Sequence, residues 1–210
     1  MQSLVRGGTR WKRFAVVMVP SVAATAAIGV ALSQGALAAS FTVSGQQFKV
    51  SADHLIGKGF VQYGALDTQA GGKQIPVAVS AFSSATITNL CQSVVVPVLG
   101  FGDVTLKLKA GGGGTDVQAT NLYIDLDQLD ADATFTNIDI GVSASDTNPG
   151  YAKPKDIGTK TLPGSFAQQA ESADLTKVHQ TAWATSAGTF NLSGLSLSVK
   201  QGSGKNYECY

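Results

Sequence analysis

Arginine is missing from this chain after residue 13. Arg6, Arg10 and Arg13 are the only three in 210 residues, and Lys12 sits among them. No acidic residue precedes Asp53. The formal net charge of +1 is therefore an average over two unlike segments. Beyond residue 38 there are 11 Lys against 14 acids, a net charge of −3. That balance excludes a basic nucleic-acid binder, because phosphate backbones are held by clustered Arg and Lys. Histidine and cysteine are equally scarce: His54, His179, Cys91 and Cys209 are all the chain has. A four-cysteine zinc site is impossible, and a two-cysteine, two-histidine site would consume every candidate. No metal and no cofactor is assigned.

What is present begins with an export signal. Residues 1–13 are cationic, and Phe14 to Leu32 is an uncharged, mostly apolar run of 19 residues. Ala36-Leu37-Ala38 follows, with small residues at Ala36 and Ala38 as a signal peptidase requires. Charge, apolar run and small-residue site in that order predict a hydrophobic signal helix over 1–38. Cleavage after Ala38 leaves a single β domain, 39–210, that is secreted, extracellular or held in the cell envelope. The competing reading is an uncleaved anchor, since the run approaches the roughly 20 residues that span a bilayer. Pro20, Gly29 and many alanines make it a weak one. Contact with a membrane is expected only through this segment, if it stays uncleaved. In an oxidising compartment two cysteines are most simply one disulfide, Cys91–Cys209.

The rest reads as strands. Phe41 to Val43, Phe48 to Ala52, Ile75 to Ala81, Val104 to Ala110, Leu122 to Asp127, Ala131 to Phe135 and Leu195 to Val199 alternate apolar and polar residues. Period-2 alternation is the signature of antiparallel sheet with one buried face. Gly71-Gly72, Gly111 to Gly114, Asp146 to Gly150, Pro163-Gly164 and Gly202 to Gly204 supply turns. The predicted fold is all-β, an antiparallel sandwich or barrel-like sheet. A β-solenoid is the alternative. Ala85 to Leu90, Ala133 to Ile138 and Ala173 to Val178 share the pattern Ala-x-apolar-Thr-polar-apolar, echoed by Ala119 to Leu122. Their starts are 48 and 40 residues apart, not the fixed short period of a solenoid. In strict alternation the sixth residue of each would leave the face of the first and third, as at a bulge. Ser165 to Ala187 is the one helical candidate; it reads better as strand, with a short turn or helix near Ala167 to Glu171. Thr147 to Pro163 reads as a long surface loop.

Catalytic patterns are not met. The nearest approaches to a nucleophile elbow, Gly141-Val142-Ser143-Ala144-Ser145 and Gly194-Leu195-Ser196-Leu197-Ser198, both lack its second glycine. Only His54 and His179 can act as base; His54 is expected before a turn and His179 on a solvent face. Asp125, Asp127, Asp130, Asp132 and Asp139 fall short of an EF-hand loop and read as solvated outer-face carboxylates. Gly202-Ser203-Gly204-Lys205 lacks the upstream glycine of a P-loop. Phe60, Tyr63, Phe82, Phe101, Phe135, Phe166, Trp183 and Phe190 are assigned to the core.

Thr9 to Ala15, Gln34 to Phe41, Phe48 to Ala52, Gln180 to Phe190 and Glu208-Cys209 together resemble a family of small secreted proteins of Streptomyces-type actinobacteria. The family is of unknown function, and some members carry a cholesterol esterase label. The resemblance covers essentially the whole chain. It implies an envelope or extracellular location and carries no catalytic residues across. The expected function is a binding or structural role outside the cell, with a cell-envelope component or an apolar small molecule as partner. A carrier of a lipid or sterol is the first alternative, an ester hydrolase the second.

Overall fold

The computed structural model describes residues 44–148, 150–152, 159–161 and 164–210. The signal segment with Ala36 and Ala38, and the Phe41 to Val43 strand, lie outside the described residues. Ten strands form one antiparallel sheet: β1 (Phe48–Thr68), β2 (Gln74–Thr88), β3 (Leu90–Val98), β4 (Gly102–Ala110), β5 (Val117–Thr136), β6 (Asp139–Ser143), β7 (Thr159–Thr161), β8 (Phe166–Ser186), β9 (Thr189–Asn191) and β10 (Ser196–Gln201). The order is β10-β4-β3-β1-β2-β5-β8-β6, with β7 on β1 and β9 on β5. β8 also pairs with β1 from Phe48↔Ala182 to Tyr63↔Ala167. The path β1–β2–β5–β8 therefore returns to its start. A solenoid does not fit, because each of these ladders is antiparallel.

Three local readings are corrected. β8 runs unbroken through Ala167 to Glu171, paired with β1 and β6, so neither turn nor helix forms there. The expected loop from Thr147 to Pro163 contributes β7 and buries Ala152, whose N–H donates to Gly59 O at 2.9 Å. Its remaining residues, Pro149, 153–158 and 162–163, lie outside the described residues. His54 lies inside β1, because the expected turn after it is strand.

β1 and β8 are 21 residues long and β5 is 20, far beyond the alternating runs in the sequence. The repeated hexad explains why. Its fifth residue adopts a left-handed conformation, with φ 53° at Asn89, 52° at Asn137 and 54° at Lys177. Asn121 at 47° and Gly59 at 61° mark two further copies, Val117 to Leu122 and Leu55 to Phe60. A left-handed residue rotates the next side chain back to the face it would otherwise leave. Positions one, three and six then point into one core: Ala85, Ile87 and Leu90; Val117, Ala119 and Leu122; Ala173, Leu175 and Val178. Ala133 is the exception and stays exposed.

These residues also line up across the sheet. Asn89 and Lys177 both fall opposite Asp53, and Asn89 Nδ2 donates to Asp53 Oδ2 at 2.6 Å. Gly59 falls opposite Ser83, which falls opposite Asn121, and Asn137 donates to Glu171 at 2.7 Å on the same line. The sheet bends along two lines and so wraps the core: β1, β5 and β8 run on through Gly59, Asn121 and Lys177, whereas β2 gives way to β3 at Asn89 and β5 ends just before Asn137. Lys177 is the costly member, since a non-glycine residue there carries about 1–2 kcal/mol of strain. Its ion pair with Asp132 is 82% and 68% exposed and so worth little. Lys177→Gly should raise the unfolding free energy by about 1 kcal/mol in urea titration, although glycine ordinarily weakens a strand. Gly59→Ala should lower it by about 1–3 kcal/mol, since its Cβ would lie 2.4 Å from Ser83 Oγ at a positive φ.

Apolar side chains divide into two clusters. Val50, Leu55, Phe60, Phe82, Leu122 and Val178 belong to the first; Val61, Tyr63, Val77, Val79 and Tyr123 to the second. Consecutive Phe60 and Val61 point into different clusters, as alternation requires. Phe60 packs between Phe82 at 5.4 Å and Phe135 at 5.1 Å. Gly57 is required beneath Phe82, because a Cβ there would lie 2.1 Å from the ring. The assignment of every aromatic to the core fails for Phe101, Phe166 and Phe190, which are exposed.

Candidate functional site

β3 touches β1 only from Phe48↔Val94 to Ser51↔Cys91. Beyond that point β3, β4 and β10 form a three-stranded wing in which β10 is the edge strand among the described residues. Register fixes its two faces. Val94, Leu106 and Val199 are cross-strand neighbours, as are Leu108 and Leu197. Ser93, Lys107 and Ser198 form the matching row on the other face. One side is thus apolar and the other polar.

The polar side is covered by the last nine residues. Cys91 and Cys209 are joined, with Cα atoms 5.8 Å apart. The Cys209 N–H donates to Ser93 Oγ at 3.1 Å, and Thr105 Oγ1 donates to Gly202 O at 2.6 Å. Lys49 Nζ meets Glu208 Oε2 at 2.8 Å, and Lys107 donates to the Glu208 carbonyl. The hydrogen bond from Lys49 holds the Glu208 carboxyl below its ordinary range against partial burial, helped by the Gly204 N–H. Tyr210 donates to Gln180 O at 3.0 Å and lies 4.5 Å from the His179 ring.

Among the described residues nothing covers the apolar side. Leu195, Leu197 and Val199 are more than half exposed, and Leu106 is also exposed. At the tip of the β3–β4 hairpin Leu99 is fully exposed and Phe101 is 58% exposed. From Val94 to Gly102 there is no charged residue. Single exposed apolar residues are ordinary, but a continuous apolar face marks an interaction surface. The face runs into a groove of about 540 Å³ lined by Phe48, Leu108, Trp183, Ala187, Phe190 and Leu192. That volume lies in the range of ligand sites. Inside the core, by contrast, the cavity among Val50, Leu55, Ile87, Leu122 and Val178 is about 30 Å³. That space is far too small for a lipid.

The hydrolase candidates do not converge. His54 Nε2 bonds Asp174 Oδ1 at 2.7 Å, a base with its orienting carboxylate. Neither candidate serine joins them: Ser143 Oγ bonds Ser145 Oγ at 2.7 Å, and Ser196 lies on the polar side of the wing. His179 is exposed on β8, as expected. Among the described residues no group of three or more acidic, histidine or cysteine side chains is placed to hold a metal ion. Of the acidic stretch, Asp132 pairs with Lys177, Asp130 accepts from Gln128 and Asp139 accepts from Gln169.

Asp125 departs from its expected place on the solvated face. It is 7% exposed, inside the second cluster with the still more deeply buried Asp67. Burial, then the Asp67 charge, then their mutual hydrogen bond push the Asp125 carboxyl up to about 8. The folded state therefore holds a proton that the unfolded chain releases near pH 4. The contribution of this group is full below that pH and declines as pH rises towards 8. Asp125→Asn should flatten the decline and stabilise the protein at pH 8, relative to wild type, in thermal unfolding followed from pH 4 to 9.

The wing itself was missed in the sequence. Its signal was available in the uncharged run Val94 to Gly102, which reads as ordinary buried strand until the tip is seen to be bare. The chain belongs to a family of unknown function (DUF6230), which matches residues 44–210. No curated protein and no solved structure matches the chain.

Proposed function

We propose that this member of the family is exported and works by non-covalent binding, with the wing of β3, β4 and β10 as its contact with lipid of the cell envelope. The exposed hairpin tip carries the proposal. Leu99 stands clear of the protein and Phe101 is more than half exposed beside it, which suits a partner that surrounds the tip rather than abuts it. A fluid acyl layer does that, and the apolar face of Leu106, Leu197 and Val199 continues the same surface behind the tip. Burying a large apolar side chain contributes about 1.5–3 kcal/mol. Export is supported by the signal pattern of residues 1–38 and by the disulfide, which persists in oxidising compartments. The likeness to secreted actinobacterial proteins agrees with an envelope location.

Sedimentation with phosphatidylcholine vesicles tests the proposal. The exported protein should pellet with them, and a protein that stays wholly in the supernatant at millimolar lipid refutes it. The 540 Å³ groove favours a second reading, carriage of a single apolar molecule. Trp183 lines that groove and reports on it. Delipidation that shifts Trp183 emission and releases a lipid detectable by mass spectrometry would select carriage over docking.

A further inference from the structure

The polar side of the wing carries a feature that does not depend on lipid docking. Lys107 and Lys109 on β4 and Lys200 on β10 share that side with Ser196 and Ser198. Asn206 and Tyr207 of the terminal segment close over them, leaving a cleft of about 360 Å³. No carboxylate lines it. The acids nearby are engaged elsewhere: Glu208 by Lys49 and Gly204, Asp103 by Ser203. Among the described residues none of the three lysines is in an ion pair. Burial, then the charges of Lys109 and Lys200, lower the Lys107 ammonium below its ordinary range. Three cations thus repel one another in a partly enclosed space, in a domain whose net charge beyond residue 38 is −3.

We propose that this cleft binds a phosphate group. Three ammonium donors converge without the planar fork that arginine offers a carboxylate, and lysine binds phosphate as a point charge. The hydroxyls of Ser196 and Ser198 and the amide of Asn206 add neutral hydrogen-bonding groups around the same space. The terminal segment, fastened by Cys209, forms the outer wall. The phosphate comes either from a lipid headgroup or from a soluble phosphate compound, and both present the same tetrahedral anion.

The test uses amide NMR and thermal unfolding of the intact protein. Inorganic phosphate should give saturable shifts confined to residues 105–109, 196–200 and 206–207, and should raise Tm. Lys107 also fastens the terminal segment, so Lys109→Gln and Lys200→Gln, on exposed side chains, carry the test. Each should weaken phosphate binding at least ten-fold, while Lys73→Gln in the distant β1–β2 turn leaves it unchanged. In a second arm, vesicles containing phosphatidylglycerol are compared with pure phosphatidylcholine, using Leu99→Ser/Phe101→Ser protein to remove apolar docking. Lysine-dependent binding to the anionic vesicles assigns the phosphate to a lipid headgroup; a response to soluble phosphate alone assigns it to a free compound. The proposal is overturned by no localised response in either arm, by equal shifts with chloride at matched ionic strength, or by responses that survive both lysine substitutions. Failure of docking with the phosphate response intact would sink only the lipid reading.

Discussion

Reduction of the Cys91–Cys209 bond should lower the unfolding free energy by about 4–5 kcal/mol. The two residues are 118 positions apart, so the bond closes most of the domain into one loop and restricts the unfolded chain accordingly. Loop-closure entropy grows slowly with length, which places this crosslink near the upper end of the usual range. The bond also fastens the terminal segment over the polar side of the wing. Without it that segment is held by the Lys49–Glu208 pair and hydrogen bonds to Ser93, Thr105, Lys107 and Gln180. The urea midpoint of Cys91→Ser/Cys209→Ser protein should match that of the reduced wild type. A loss under about 1 kcal/mol would show that the unfolded chain is already compact enough to make the crosslink redundant.

Replacing the hairpin tip should have the larger effect on binding. Leu99→Ser with Phe101→Ser should weaken vesicle association by more than a hundred-fold, from about 1.5–3 kcal/mol lost at each side chain. Stability should hardly change, because both residues are exposed in the folded state. Leu197→Ser with Val199→Ser, farther back on the same face, should cost less. Urea curves that superimpose while vesicle binding collapses separate a docking role from a structural one. A tip variant that binds vesicles as wild type does removes the basis for lipid docking.

Much of the sheet was legible in the sequence, and its failures share a cause. Val104 to Ala110 shows its two faces by plain alternation, but the apolar face expected inside is partly bare: Leu106 is exposed, and Thr105, expected outside, is buried. The cysteines pair because only two exist. The hexads were visible too, but alternation was read as ending where Asn121 and Lys177 reset it inside β5 and β8. Strands of about 20 residues therefore looked like several short ones. Gly59 hid a further copy, since glycines at 57 and 59 suggested a turn. Asp125 was placed outside because period 2 says nothing about a second core on the far side of a strand. Phe101 was placed inside because apolar residues normally are, and no local pattern shows that a hairpin outruns its neighbours. The lysine cleft joins residues about 90 positions apart in sequence, across a β4–β10 pairing that neither strand announces.

The most direct test places a reporter at the tip. In protein with Trp11 and Trp183 replaced by Phe, Phe101→Trp leaves one tryptophan on the hairpin. On vesicles its emission should shift to the blue and be quenched by brominated acyl chains. Vesicle-bound protein whose single tryptophan keeps the emission of a water-exposed indole, unquenched by brominated lipid, would contradict docking through the wing.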